Sequence, residues 1–235
     1  MVYAFFLVLT LVSLCVFLRF VYILPRARKP ISAERPSTHK TFSLAVFLGS
    51  GGHTSEALTL LSALDFTRYY PRSYVYSQGD ILSAKKAADL ELVKTAELST
   101  HPVHGLSPNP PYSLVCIPRA RRVHQPLITT PVTAVHSLAV SLYYLALAPA
   151  FSGKPFAEVL ILNGPGTCCM LCLAVYVNKF LGLPAPRLIY VESFARVRTL
   201  SLSGRLLRPL VDRFIVQWPD LLDDGGRGEC RGWLV

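Results

Sequence analysis

A chain of 235 residues provides about one α/β domain plus an appendage. It is 51% hydrophobic and only 16% charged, against roughly 25% charged in an average soluble chain, so it leans toward a membrane-attached globular protein. The net charge of +10 suits an anionic membrane face or phosphorylated substrates; nucleic acid is disfavoured, because aromatic-basic interleaving and zinc-finger spacing are both lacking.

Residues 2–24 are mostly apolar and carry no charge apart from Arg19, and a spanning helix needs roughly 20 mostly apolar residues. Arg19 lies near one end, where its side chain can snorkel to the interface. Pro25-Arg26-Ala27-Arg28-Lys29 follows, and basic residues beside a span mark its cytoplasmic side. A cleaved signal peptide would carry positive charge ahead of its apolar core, and Met1-Val2-Tyr3 has none. The expected organisation is a transmembrane anchor over 1–24, a polar proline-bearing linker over 25–40, a globular domain over 41–219 and a tail over 220–235.

The apolar segment 43–48 runs into Gly49-Ser50-Gly51-Gly52-His53-Thr54-Ser55-Glu56 and then a helical pattern from Ala57. Strand, glycine loop and helix in that order build a phosphate site in α/β proteins. Glycine lets the backbone N–H groups approach an anion, and the helix adds unpaired N–H groups and a positive dipole end. Thr54 or Ser55 is expected to cap the helix, with Glu56 in its first turn. The loop is neither a Walker loop nor a complete dinucleotide fingerprint. The alternative is a turn without a ligand, for which His53 is unusual chemistry.

A second strand is expected over 73–77, with tyrosines alternating around Val75. A helix follows over 80–96, where Ile81, Leu82, Ala88, Leu92 and Val93 fall at helical spacing. Residues 98–112 read as a loop rich in Pro, Ser and His. A short strand over 114–118 leads into Arg119, Arg121 and Arg122, which read either as a solvated charge run or as guanidinium groups for phosphate. The apolar run 134–151 contains His136 and Pro149 and reads as a buried or membrane-grazing helix.

The segment 158–162 is a buried-strand pattern ending in Asn163-Gly164-Pro165-Gly166-Thr167, a second glycine turn. An apolar helix over 168–181, a strand over 187–191 ending at Glu192-Ser193, a partial helix over 203–212 broken near Pro209, and a strand over 213–217 complete the domain. Cys169 and Cys172 have C-x-x-C spacing without a second pair, and their apolar neighbours favour buried, reduced thiols over a metal or redox site. Strands alternating with helices predict a Rossmann-like, doubly wound parallel sheet. Ligands gather at the carboxyl ends of such strands, where both glycine turns and Glu192 fall.

Seven motifs in order make the chain recognisable: Gly49 to Glu56 as above, Ile117-Pro-Arg-Ala-Arg121, Asn163-Gly-Pro-Gly-Thr-Cys168, Tyr190-Val-Glu-Ser-Phe-Ala-Arg196, Leu200-Ser-Leu-Ser-Gly204, Asp212-Arg-Phe214 and Val216-Gln-Trp-Pro219. Together with the apolar N-terminus they resemble the membrane-anchored subunit of the heterodimeric UDP-N-acetylglucosamine transferase that acts second in dolichol-linked oligosaccharide assembly. The resemblance implies the N-terminal, acceptor-binding half of a GT-B glycosyltransferase, similar to the bacterial transferase that makes lipid II. It implies that a small soluble partner supplies the UDP-GlcNAc-binding half, at the cytosolic face of the endoplasmic reticulum membrane. The chain length, sufficient for one such sheet, is consistent with this.

The implied acceptor is dolichyl-diphosphate-GlcNAc. Gly49, Ser50, Gly51, Gly52, Thr54, Arg119, Arg121, Asn163, Gly164, Gly166 and Thr167 are expected to bind its diphosphate. His53 is the first candidate for the general base and Glu192 the second. The alternatives are a histidine that only hydrogen-bonds the acceptor and a capping or buried carboxylate. No cofactor is expected, and without an Asp-x-Asp pattern no metal of the GT-A kind. Trp233, Leu234 and Val235 are expected to dock the partner, after a glycine-rich segment that departs from the family pattern. A second reading is a pure membrane tether and activator with no catalytic residue of its own. A third, a self-sufficient nucleotide-sugar or NAD enzyme, would want an acidic residue about 20 positions past the first glycine loop; residues 69–78 contain none, and Asp80 lies further on.

Overall fold

Strand β1 (Phe42–Leu48) lies inside a sheet, and its side chains pack on both faces. Ala45 and Phe47 join one apolar cluster and Leu44, Val46 and Leu48 the other. Each such buried side chain contributes roughly 1.5–3 kcal/mol for a residue of Val or Leu size and above. In the computed structural model, which describes residues 1–25, 41–99, 112–122, 125–152 and 155–234, seven strands form one sheet in the order β3-β2-β1-β4-β5-β6-β7. These are β2 (Tyr69–Ser77), β3 (Tyr112–Ile117), β4 (Val159–Asn163), β5 (Arg187–Val191), β6 (Arg213–Val216) and β7 (Glu229–Cys230). Every pairing is parallel. The doubly wound parallel sheet expected from the alternating pattern is present.

Helices α2 (Gly52–Ser62) and α3 (Ile81–Ser99) cover one face, through Ala57, Leu61 and Ala87. The other face packs against α6 (Thr167–Leu181), through Cys168, Leu171, Cys172 and Val175, and against Leu207 of α7 (Leu202–Leu207). Connections before and after the β1–β4 junction therefore run on opposite sides, which opens a crevice at that junction.

Several local expectations change. Helix α2 starts at Gly52 with Gly51 as its N-cap and no side-chain cap, so Thr54 and Ser55 are inside the helix and Glu56 is past its first turn. The glycines themselves supply the turn. In α3 the apolar residues at helical spacing are not the packed ones: Ile81, Leu82, Leu92 and Val93 are exposed, whereas Ser83, Ala87 and Glu91 are buried. Glu91 takes both Arg72 Nε and Nη2, at 2.6 and 2.8 Å, and accepts from the Tyr74 hydroxyl at 2.6 Å. Arg72 Nη1 donates to the carbonyls of Phe66 and Tyr69. A buried charge pair with all its hydrogen bonds made thus holds α3 to β2, and breaking one partner of such a pair costs about 3–5 kcal/mol.

Helix α1 (Val2–Ile23) is long and apolar enough to cross a membrane: the span Tyr3–Ile23 has mean hydropathy 2.5 and no residue of its most apolar window is fully buried, although Ile23 at its end packs against the core. Arg19 does not extend away from the domain. Its Nη2 and Nε donate to the carbonyls of Lys179 and Phe180, at 2.8 and 3.0 Å, at the C-terminus of α6. A cation there satisfies orphan carbonyls and complements the helix dipole. The expected linker lies outside the described residues beyond Pro25, as do residues 100–111 of the loop expected over 98–112; its first two residues instead continue α3.

The apolar run after β3 forms α4 (Thr130–Leu142), a π-helical turn (Tyr143–Leu147) and α5 (Ala148–Ser152). Burial, one of its two expected environments, does not hold: only 17% of its most apolar window is buried, and Val132, Val135, Tyr143, Leu147 and Phe151 are exposed. The Leu145 carbonyl, in the widened turn, accepts from Asn178 Nδ2 of α6 at 2.6 Å.

The divergent tail re-enters the sheet. Arg208 holds Asp224 through two bonds of 2.6 and 3.0 Å, and β7 then pairs with β6. Burial pushes the Cys168 thiol well up and that of Cys172 to about 12, so both stay protonated and inert. In the folded protein at pH 8, a maleimide should label exposed Cys116 and Cys230 and leave Cys168 and Cys172 unmodified until denaturant is added; mass-spectrometric mapping of the labelled peptides checks this.

Candidate functional site

The site is built where β1 and β4 lie side by side. Leu48 pairs with Asn163, so the two glycine turns leave the sheet next to each other. Their backbones nearly touch. A Cβ on Gly49 would stand 2.7 Å from His53 Cβ and 2.9 Å from the Asn163 carbonyl, and one on Gly164 would stand 3.2 Å from Gly49 Cα. Gly164 also has φ +136°, and Gly51 has φ 67° with ψ −123°, a conformation open to glycine alone. The glycines are thus required by the close approach of the two turns.

Two helices begin at this edge without side-chain caps: α2 after Gly51 and α6 after Gly166. At α2 the N–H groups of Gly52, His53 and Thr54 have no partner among the described residues and are left for water or an anion; at α6 those of Cys168 and Cys169 bond the Pro165 and Gly166 carbonyls, which leaves that of Thr167. Ser50, Gly51, Gly52 and Gly166 are exposed here. Thr54 is buried instead; its hydroxyl bonds to the Gly49 carbonyl and to Ser83 Oγ at 2.6 Å, which ties α3 beneath the loop. Thr167 is buried too, and its hydroxyl accepts from the Ala120 N–H at 3.2 Å. That bond brings the Arg119–Arg122 segment against the second turn. Arg119 is half-buried, with no hydrogen-bond or ion-pair partner among the described residues, whereas Arg121 donates to the Gln125 carbonyl.

His53 occupies the first turn of α2, and its Nδ1 lies 2.8 Å from Asn163 Oδ1. The Asn163 side chain is fully buried, and its Nδ2 donates to Glu56 Oε2 at 3.1 Å. The other Glu56 oxygen accepts from Ser193 Oγ at 2.7 Å. One polar chain thus joins α2, β4 and the end of β5. Glu192 is also buried, but both of its oxygens are occupied. Oε1 accepts from the Ser193 N–H at 3.1 Å, and Oε2 from the N–H and hydroxyl of Ser201, each at 3.0 Å. Ser201 in turn caps α7.

The tail reaches the same edge. The Leu234 N–H donates to Gln217 Oε1 at 3.0 Å, and Gln217 Nε2 donates to the Glu192 carbonyl at 3.3 Å. Trp233 is exposed beside Trp218 and Phe194, at ring distances of 5.8 and 6.0 Å. Val235 lies outside the described residues.

The family model described as "Oligosaccharide biosynthesis protein Alg14 like" matches residues 44–234. The chain belongs to this family. It is 47% identical over 219 residues to the UDP-N-acetylglucosamine transferase subunit ALG14 of Cryptococcus neoformans, covering 92% of this chain and 90% of that protein. It is 44% identical to the protein of the same name in Schizosaccharomyces pombe, over 86% and 88% of the two chains. The Mus musculus protein of that name is 39% identical, over 83% and 84%. Among solved structures, MurG of Acinetobacter baumannii superposes with a TM-score of 0.46 at 13% identity, over 81% of this chain and 46% of that one.

Sequence reasoning placed both turns and His53 at this edge, and missed the roles of Glu56 and Ser193. His53 and Glu56 are three residues apart on a helix, so a shared face was readable. Their contacts with Asn163 and Ser193 depend on strand order. Replacing Gly49 with Ala puts a methyl group against backbone on one side and His53 on the other, which no rotamer change relieves. Gly49→Ala should lower the thermal unfolding midpoint by several degrees, as expected for a cost of about 1–3 kcal/mol, whereas Ser50→Ala should leave it within error.

Proposed function

We propose that this chain is the membrane-anchoring, acceptor-binding subunit of a two-chain UDP-GlcNAc transferase. The acceptor is dolichyl-diphosphate-GlcNAc, and the product carries a GlcNAc-β1,4-GlcNAc unit. A small soluble partner contributes the UDP-GlcNAc site, and the pair works on the cytosolic face of the endoplasmic reticulum membrane. In this reading residues 1–24 anchor the chain, 25–40 link, 41–219 form the acceptor half of a GT-B enzyme and 220–235 dock the partner. Family membership supports the overall role. The apolar α1, followed by Arg26, Arg28 and Lys29, supports the attachment and its orientation.

The observation that carries the site assignment is His53, held at the mouth between two uncapped helix N-termini. The acceptor diphosphate sits against the N–H groups that open α2 and α6, with Arg119 alongside. Its terminal GlcNAc then presents the 4-hydroxyl to His53 Nε2. The imidazole takes that proton as the oxygen bonds to the anomeric carbon of UDP-GlcNAc, and the bond to UDP breaks. Glu192, with both oxygens engaged, supports the loop into α7 in this scheme and leaves the base to His53. In this reading the partner docks on Trp233 and Leu234, and the bonds from Leu234 to Gln217 and from Gln217 to the Glu192 carbonyl support a docking point near the reacting sugar.

The alternative, a tether without catalytic residues, is separated by a transferase assay in detergent with a short-chain polyprenyl-diphosphate-GlcNAc. Turnover should require both chains. His53→Ala should lower turnover about 10²–10⁴-fold in a complex that still co-purifies. Unchanged turnover in that variant would favour the tether, and turnover by this chain alone would remove the split-enzyme reading.

A further inference from the structure

We propose that Glu56 is a positioning residue that fixes the tautomer of His53 through the amide of Asn163, an inference that rests on the base role given to His53 above. Donors and acceptors along the chain Ser193, Glu56, Asn163 and His53 decide the orientation of the amide. An ionised carboxylate can only accept, and Glu56 already takes the Ser193 hydroxyl on one oxygen, at 2.7 Å. The Asn163 group facing its other oxygen, at 3.1 Å, must therefore be the NH2. That orientation turns the Asn163 carbonyl oxygen toward His53 Nδ1, at 2.8 Å. An oxygen acceptor there requires Nδ1 to carry the proton. In the neutral imidazole the lone pair then lies on Nε2, the nitrogen with no partner among the described residues.

Asn163 is fully buried, so no water competes for its amide. Without the carboxylate the amide is free to turn over. Its NH2 would then face Nδ1, and the ring would carry its proton on Nε2, where it cannot accept one from a sugar hydroxyl. Ser193 thus orients the Glu56 carboxylate, the carboxylate orients the Asn163 amide, and the effect is exerted at Nε2, a nitrogen that none of the three touches. A wrong tautomer in an otherwise intact site is a severe defect in acid–base enzymes.

The test uses the full chain with its partner in detergent, labelled with 15N at histidine, with His53 assigned by its loss in His53→Asn. Wild type should show the Nδ1–H tautomer. Glu56→Gln should move the ring toward Nε2–H and lower kcat at least about 10-fold, with KM changed less than about twofold. The exchange Glu56→Gln with Asn163→Asp keeps the charge and reverses the two groups, so that the carboxylate introduced at position 163 accepts both from the amide introduced at position 56 and from His53. It should restore the Nδ1–H tautomer and most of the turnover. Retention of Nδ1–H in folded Glu56→Gln would overturn the proposal, whatever its activity. A tautomer shift with unchanged kcat would leave the positioning role standing and remove His53 as the base.

Discussion

The constraint on which the rest depends is the backbone approach of Gly49 to Gly164. Two parallel strands end in register, and their following turns can lie in contact only if neither carries a Cβ at that point. The contact brings the start of α2 and the start of α6 to one edge from opposite faces of the sheet. It also sets His53 against Asn163, because the histidine enters α2 one residue into the helix. A side chain at either glycine would separate the turns and, with them, the two sets of unpaired N–H groups.

Around that contact the molecule divides its carboxylates by task. Glu91 serves stability through a buried pair with Arg72. Glu192 organises the segment from β5 into α7, with two oxygens occupied by Ser193 and Ser201. Glu56 is the one linked to His53, and it reaches that residue through Asn163. The tail is part of the same edge: Leu234 bonds Gln217, and Gln217 bonds the Glu192 carbonyl. At the other edge Arg19 of α1 closes the end of α6, whose beginning forms half of the site. Helix α6 is thereby held at both ends, one by the apolar N-terminal helix and one by the glycine contact.

The sheet was legible because buried parallel strands read as short apolar runs between glycine turns, and β1, β4 and β5 have that form. The two turns were legible because glycine clusters report backbone demands directly. The packed face of α3 was not. Its inner face is Ser83, Ala87 and Glu91, the last paired with Arg72, which inverts the usual relation between apolarity and burial and leaves Ile81 and Leu82 outside. The start of α2 was misplaced because a glycine N-cap carries no side-chain signal. The Glu56 links to Asn163 and Ser193 span 107 and 137 residues, and only the strand order brings them together. Strand β7, two residues long, is too short to leave a periodicity.

In the proposed function the acceptor diphosphate binds at the paired helix N-termini of the β1–β4 junction. Hydrogen–deuterium exchange of the detergent-solubilised chain, with and without a short-chain polyprenyl-diphosphate-GlcNAc, reads those amides directly. Exchange should slow over residues 49–55 and 164–167 together, and should not change with phosphate-free GlcNAc. Saturable acceptor binding that leaves both segments unprotected would contradict it.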